Sequence, residues 1–409
     1  MKTKFKYVAL AALTLLASLN SCSNDEDGGK PNNGTPKSMF LKISSDIPST
    51  YAEGPIQDAT AVKFTSGILY FVDNAGTIKG RKTIGAPATS PDIDITNLAT
   101  TGEVITGVDG SVTKVYIVGN TPVQSLPNGA TTISQVENTL LQVQSQGTIS
   151  NVNLFGSDVL VAPTGAATDP YTCNVTLKPT VARIELTNMT ATGNYITGFK
   201  VAGIFVDNYY SQAGVNGAVL TTNLKDNGPS TTAFNDGSAQ YPNTPAASSL
   251  KTFVFDWFTT ALAATGNPLK AQPTTANNVW GYNLFATSTG STVPRIVIRL
   301  TNITTTADGA NPVYGADQYI TIKGYKNGGN LLTVIKAGEV YNITGLSFDE
   351  TKLTPTPNLA TIDVEVKVTL VNWKLVPVTP ELYSGVASII MAERIKPLRL
   401  DLSTQHPKQ

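Results

Sequence analysis

Hydrophobic and polar residues alternate along most of this chain in short runs, which are separated by Gly, Asn, Asp and Pro. The strictest alternation involves four apolar residues near the C-terminus: Ile362, Val364, Val366 and Val368. A period of two is typical of a β-strand with one buried face. A second signal is a predicted hairpin, residues 67–72 and 77–81 around a turn at 73–76. Many short strands with this punctuation predict an all-β protein made of sandwiches rather than a parallel α/β sheet.

One segment has a helical period instead. Its four apolar residues are spaced by three or four positions: Ile133, Val136, Leu140 and Val143. Thr132 and Gln135 form a capping-box pattern at its start, and Gly147 stands where such a helix would end. The sequence therefore predicts one short helix in the N-terminal domain, covering one side of a sheet.

The N-terminus reads as an export signal. Basic residues at positions 2, 4 and 6 precede an apolar run at 8–19, which is too short to span a membrane. The run ends in Leu19-Asn20-Ser21-Cys22, which resembles the lipobox of bacterial lipoproteins, with Asn20 an unusual residue there. The resemblance implies cleavage before Cys22 and a lipid on its thiol, so that an acyl anchor replaces a spanning helix. The alternative is an ordinary secretory signal followed by an unrelated Cys.

Composition argues against several classes of function. The chain has 29 basic and 29 acidic residues, so it lacks the basic surplus of a nucleic-acid binder. Its one His, His406, disfavours His-based catalysis and metal sites, and Cys22 and Cys173 are too few for a thiolate zinc site. Thr accounts for 56 of 409 residues, which favours strands. We therefore expect that the protein is not an enzyme and that it has no catalytic residue, bound metal or cofactor.

Four features together resemble the fimbrillin family, the subunits of type V pili on outer membranes of anaerobic gut and oral bacteria. The first is the lipobox with an acidic cluster after it, at 23–27. The second is the β-rich N-terminal region with one helix. The third is the "ARIEL" segment, residues 182–186, which would open a second domain, and the fourth is the strand that ends in Trp373. The resemblance covers about residues 1–383, although no single motif is specific.

The resemblance implies two tandem transthyretin-like β-sandwich domains. The predicted parts are a signal peptide (1–21), a flexible tether (22–37), an N-terminal domain (38–178), a C-terminal domain (179–383) and a tail of uncertain role (384–409). The family pattern also implies a cell-surface fimbrium on the outer membrane as the location. Its partners would be other copies or related pilus subunits, the membrane through the lipid on Cys22, and a host glycan or protein.

In the family, a protease removes the first strand with the lipid, and a C-terminal strand of the next subunit fills the groove. Mapped here, the removable strand carries Met39, Leu41 and Ile43 on one face. The donor is the segment of Ile362, Val364, Val366 and Val368, or the tail after it. Pattern alone does not separate this from the alternative that both strands simply pair within their own sandwich, which pattern without the family resemblance would favour.

Two departures from the family leave the role open between a stalk, tip or anchor subunit. Cleavage after Arg is typical of the family, yet neither Lys nor Arg occurs between Lys42 and Lys63. The tail also extends well past Trp373 and contains an alternating segment, Leu398-Arg399-Leu400-Asp401-Leu402. Either a protease of another specificity acts here, or the first strand stays and the chain is a lipid-retaining anchor or a minor subunit.

A monomeric surface lipoprotein that binds glycans is the other alternative. Phe253, Phe255 and Trp257 fall on one face of a predicted strand, where they form either a sugar-stacking row or part of a sandwich core. Cys173 is expected to be a buried free thiol. Acidic residues at turns, such as Asp92 and Asp109, are expected to hold turns rather than calcium.

Overall fold

The computed structural model describes residues 35–45, 64–86, 89–98, 100–121, 125–146, 152–226, 254–273, 279–287, 293–306, 314, 317–359 and 361–370. The predicted signal peptide, most of the predicted tether, Cys22, Trp373 and the predicted tail lie outside this part of the chain. No helix within the described residues has the length and apolar character needed to cross a membrane.

Strands dominate the N-terminal half. They are β1 (Lys37–Ser45), β2 (Gly67–Asp73), β3 (Ile78–Gly85), β4 (Ile93–Asp94), β5 (Glu103–Val108), β6 (Val112–Gly119), β7 (Leu140–Gln142), β8 (Leu154–Val159) and β9 (Tyr171–Pro179). Two short helices are α1 (Ile95–Leu98) and α2 (Ile133–Glu137), and a 3-10 turn spans Val143–Gln146. All strands except β7 follow one path, in the order β4-β3-β2-β6-β8-β9-β1-β5. Strand β9 joins the two parts of this path, because its end pairs with β8 and the rest with β1.

The predicted hairpin is confirmed as β2 and β3. Asp73 holds the turn, since its Oδ1 accepts hydrogen bonds from the backbone N–H groups of Ala75 (2.9 Å) and Thr77 (2.8 Å). Gly76 has a φ of 82°, a left-handed conformation that glycine adopts without strain.

The predicted helical face is wrong beyond its first turn. Helix α2 begins with the expected capping box but ends at Glu137, after five residues. Leu140 is 42% exposed, because residues 140–142 form β7 and pair with the C-terminal half. Tertiary pairing has overridden the local period here, and a second short helix, α1, was not predicted at all.

The C-terminal half is a set of small sheets. Its strands are β10 (Val181–Leu186), β11 (Met189–Ala191), β12 (Ile196–Asp207), β13 (Tyr209–Tyr210), β14 (Gln212–Gly214), β15 (Leu224–Lys225), β16 (Phe255–Leu262), β17 (Lys270–Ala271), β18 (Trp280–Phe285), β19 (Arg295–Thr305), β20 (Gln318–Asn327), β21 (Asn330–Leu331), β22 (Glu339–Ile343), β23 (Leu346–Phe348), β24 (Thr361–Glu365) and β25 (Lys367–Leu370). The main sheets have the orders β18-β10-β22-β25, β17-β11-β23 and β16-β12-β19-β20-β21, with β24 beside β20. The predicted all-β sandwich fold is confirmed.

The strictly alternating segment at 362–368 forms two strands rather than one. Strand β24 runs parallel to β20 in one sheet, whereas β25 runs antiparallel to β22 in another. Val366 lies between them, is 5% exposed, and donates its backbone N–H to the carbonyl of Lys326 (2.7 Å). The same alternation is kept because both strands contribute apolar side chains to one core.

Candidate functional site

The first strand lies inside its sheet rather than at the edge. Strand β1 runs parallel to β9, with Leu41 opposite Cys173, and antiparallel to β5, with Leu41 opposite Glu103. Within the described part of the chain, β5 pairs with no strand other than β1. Taking β1 away would therefore expose the backbone edges of both β9 and β5 and open a groove between them.

The apolar face of β1 forms part of the core. Met39 and Leu41 are 0% exposed and Ile43 is 1% exposed, whereas the alternating residues Phe40 and Lys42 are half-buried on the other face. The three residues singled out from the sequence thus share one buried face. Whether the strand is removed stays a prediction.

Lys37 fixes the beginning of β1 to the strands around it. Its Nζ donates to the carbonyl of Val112 (2.5 Å) and lies 4.4 Å from the centroid of the Tyr171 ring. Burial lowers the pKa of Lys37, and the nearby carboxylate of Asp109 partly offsets this. The side chain therefore links β1 to both β6 and β9.

Both neighbours of β1 place a polar side chain opposite Leu41: Cys173 on β9 and Glu103 on β5. On β9, the thiol of Cys173 is buried and its Sγ lies 3.8 Å from Oδ2 of Asp158. Burial, reinforced by the charge of Asp158, raises the pKa of Cys173 to about 12, so the expectation of a buried free thiol is confirmed. On β5, burial and the nearby Asp94 raise the pKa of Glu103.

The candidate donor segment is paired within its own half. Val364 is 8% and Val366 is 5% exposed, while Ile362 and Val368 are half-buried. Strands β24 and β25 each have one described neighbour, β20 and β22 respectively, so both lie at sheet edges.

A buried polar cluster holds the chain just before β24. Asn358 has a φ of 60°, donates its backbone N–H to Oγ1 of Thr321 (2.9 Å), and donates through Nδ2 to Oδ2 of Asp207 (2.7 Å). Asp207 is 0% exposed, and Arg295 lies 3.6 Å from the same carboxylate oxygen. This cluster ties the C-terminal strands to β12, β19 and β20.

The aromatic row is packed rather than presented as an open platform. Phe253 lies outside the described residues, and Phe255 and Trp257 are half-buried. Phe255 stacks on Phe205 with centroids 5.8 Å apart, and the guanidinium of Arg299 covers Trp257 at 5.0 Å. Gly203 lies opposite both Trp257 and Arg299 on neighbouring strands, and the ring of Phe205 lies 3.0 Å from where a Cβ of residue 203 would stand.

The acidic residues predicted to hold turns accept hydrogen bonds from backbone N–H groups. Oδ2 of Asp92 accepts from the backbone N–H of Thr83 (2.7 Å), and Oδ1 of Asp109 accepts from that of Ser111 (2.8 Å). In the described segments, no three His, Cys, Asp or Glu side chains gather in a metal-binding group.

Solved structures share this fold. A candidate cell adhesion protein from Bacteroides eggerthii superposes with a TM-score of 0.52 at 15% identity, covering 84% of this chain and 98% of that one. Lower scores are found for a candidate cell adhesion protein from Parabacteroides distasonis (0.48, 14% identity, 85% and 99% covered) and a fimbrilin from Porphyromonas gingivalis (0.47, 15% identity, 84% and 99% covered). No protein-family model and no curated protein matches the sequence. The likeness to the Bacteroides eggerthii protein is one of fold alone, and it agrees with the all-β sandwich architecture.

Sequence reasoning missed the residues that line the groove. Cys173 and Glu103 meet β1 only through pairings that join residues about 60 to 130 positions apart. Neither local periodicity nor a motif carries that information, because strand order is set by long-range packing.

Proposed function

We propose that this protein is a structural subunit of a cell-surface pilus, of the fimbrillin family, which is exported as a lipoprotein and assembled by strand exchange. The observation that supports this most is the position of β1 between β9 and β5. An edge strand can leave a sheet and expose one backbone edge, whereas loss of an interior strand exposes two. Unpaired edges recruit another strand, and main-chain hydrogen bonds then supply the affinity.

The proposed donor is the tail after β25. Residues 361–370 already pair with β20 and β22, and the Asp207–Asn358 contact holds the chain that leads into them. The tail has an alternating segment with three Leu residues: Leu398, Leu400 and Leu402. Their number equals the number of apolar β1 residues that are buried in the groove. A strand with that pattern would place one Leu at each of the positions of Met39, Leu41 and Ile43.

The first experiment is N-terminal sequencing with intact-mass measurement of the protein recovered from the cell surface. A mature start between residues 45 and 63 is expected for a polymerising subunit, since β1 and the lipid on Cys22 are then removed together. A start at acylated Cys22 in all of the material contradicts the stalk role. It would favour the lipid-retaining anchor subunit, for which the absence of Lys and Arg between Lys42 and Lys63 already argues.

A second experiment tests the donor. A specific protease site is inserted between Ser49 and Thr50, the purified chain is cut, and polymers are followed by size-exclusion chromatography and electron microscopy. Leu400→Asp is expected to abolish polymers without lowering monomer stability, and the matched control Arg399→Asp is expected to retain them. Polymers that form equally well from the Leu400→Asp chain would exclude this segment as the donor.

The monomeric glycan-binding alternative is supported by one observation, the pairing of the C-terminal strands within their own half. The packed state of Trp257 beneath Arg299 argues against a sugar-stacking platform there. A chain that keeps β1, stays monomeric on the cell surface and is retained by glycan arrays would favour this alternative.

A further inference from the structure

The two halves of the protein are joined by more than the connecting residue between β9 and β10. Strand β7 of the N-terminal half pairs antiparallel with β14 of the C-terminal half, and Leu141 lies opposite Ala213. Two backbone hydrogen bonds extend this pairing: Val143 N–H to the carbonyl of Ser211 (2.9 Å) and Val215 N–H to that of Thr139 (3.0 Å). Each half thus contributes one strand to a small sheet at the junction.

Asn153, which directly precedes β8, is the centre of this junction. It is 1% exposed, and its Nδ2 donates to the carbonyl of Val215 (2.7 Å) and to Oγ1 of Thr180 (3.1 Å). Its Oδ1 accepts from the hydroxyl of Thr121, and its backbone N–H donates to Oε1 of Gln146 (2.6 Å). One side chain therefore contacts the N-terminal half, the connecting residue and the C-terminal half.

Two further features bring the halves close together. Asn283 on β18 donates through Nδ2 to the carbonyl of Gln146 (2.6 Å), which adds a second buried hydrogen bond across the junction. Gly214 has no room for a side chain, because a Cβ there would lie 2.4 Å from the carbonyl oxygen of Glu137. Most buried apolar residues of both halves also belong to one connected cluster.

Tandem domains move relative to one another unless their interface is large and well packed. A buried polar network in which each member has a partner instead fixes a single arrangement, since any displacement leaves buried groups unsatisfied. We propose that Asn153 is a positioning residue that locks the two halves into one rigid, cooperatively unfolding body. The proposal concerns the monomer and does not rest on the pilus function. In a polymer, it would confine bending to the contacts between subunits.

The test combines calorimetry with hydrogen exchange on the whole monomeric chain. The unaltered protein is expected to unfold in one transition, with equal calorimetric and van't Hoff enthalpies. The amides of residues 139–143 and 211–215 are expected to be as protected as those of β2 and β6. Two separate transitions in the unaltered protein would overturn the proposal, and so would unprotected amides at the junction.

Variants then test Asn153 itself. Asn153→Ala removes all side-chain bonds, and Asn153→Asp keeps the size but loses the two Nδ2 donors. Both are expected to split the transition in two and to lower protection at the junction at least tenfold, while β2 and β6 keep theirs. Asn174→Ala, at an exposed position of β9, is the matched control and should change neither readout. Equal behaviour of the Asn153 and Asn174 variants would overturn the proposal.

A second variant covers the case in which the Asn153 variants do not fold. Gly214→Ala forces a methyl group against the carbonyl of Glu137 and separates β7 from β14 without touching either main sheet. It is expected to lower protection at 139–143 and 211–215 and to split the transition. Unchanged protection and a single transition in this variant would show that the close approach of β7 and β14 at Gly214 does not couple the halves, which would contradict the proposed junction.

Discussion

Strand β1 and the pair β24–β25 have the same alternating pattern but very different positions. Strand β1 has neighbours on both sides and buries Met39 and Leu41 completely. Strands β24 and β25 lie at sheet edges, and Ile362 and Val368 stay half-buried. Alternation therefore shows that a strand has one buried face. The number of neighbouring strands decides how many backbone edges are exposed when that strand is removed.

The attachments of the two regions also differ. The chain before β24 is fixed by Asn358 and the fully buried Asp207, whereas the described side chains of β1 include a polar anchor at its beginning, Lys37. Removal of an interior strand with a buried apolar face leaves a groove suited to another apolar strand. An edge strand tied down by a buried carboxylate is suited to staying in place.

Cys173 reports whether β1 is in place. Its pKa of about 12 lies three units above the ordinary value of 9.0, so the thiolate fraction near pH 8 falls about a thousandfold. We predict negligible alkylation of Cys173 by iodoacetamide in the intact chain. After cleavage between Ser49 and Thr50 and loss of β1, alkylation should rise by at least about a hundredfold.

Peptide mass spectrometry separates Cys173 from Cys22, and a Cys173→Ser chain provides the blank. Rapid alkylation of the intact chain would mean that β1 does not cover the thiol. Unchanged protection after cleavage would mean that β1 remains paired. Renewed protection on addition of an uncut partner chain would indicate that another strand has entered the groove.

Shortening a core-facing side chain of β1 should lower the free energy of unfolding more than shortening one of β24. Leu41→Ala is expected to lower the free energy of unfolding by about 2–5 kcal/mol, because it leaves a cavity at a fully buried position. Val364→Ala removes two methyl carbons at an 8% exposed edge and should cost about 1–2 kcal/mol. Urea denaturation of both variants measures the difference.

Lys42→Ala, on the outer face of β1, is the matched control and should change stability by no more than about 0.5 kcal/mol. A loss at Val364 equal to that at Leu41 would remove the distinction between interior and edge strands.

The Asn358 attachment combines a hydrogen bond with a left-handed backbone. Asn358→Gly keeps the backbone relaxed but removes the bond to Asp207, and should cost about 1.5–3 kcal/mol. Asn358→Ala should cost about 1 kcal/mol more, since a Cβ disfavours a φ of 60°. Denaturation curves of the two variants separate these contributions, and equal losses would show that the backbone carries no strain.

The sequence predicts which residues face the core better than it predicts which strands meet. The alternation at 39–43 and the turn at Asp73 are local properties, and both are confirmed. The helical period at Ile133–Val143 failed because β14 offers residues 140–142 better pairing than a longer helix would. Likewise, nothing local indicates that residue 366 marks a change from one sheet to another, or that β1 lies beside β9. These outcomes depend on contacts between distant residues, which one sequence does not reveal.

The smallest predicted effect concerns the carboxyl group of Glu103 on β5, opposite Leu41. Burial raises its pKa above the usual 4.5, so the folded state disfavours the ionised form. The resulting loss of stability is absent below pH 4.5 and complete above the raised pKa. Glu103→Gln should therefore become more stable relative to the unaltered chain as the pH rises from 4 to 7. Asp73→Asn should show no such rise over this range, because the hydrogen bond from Thr77, with others, lowers the pKa of Asp73 below its usual 3.8, so that its stabilising contribution is already largely in place at pH 4 and is lost only at lower pH. Urea denaturation across this pH range measures both. Parallel trends in the two variants would show that burial beside β1 does not control the ionisation of Glu103.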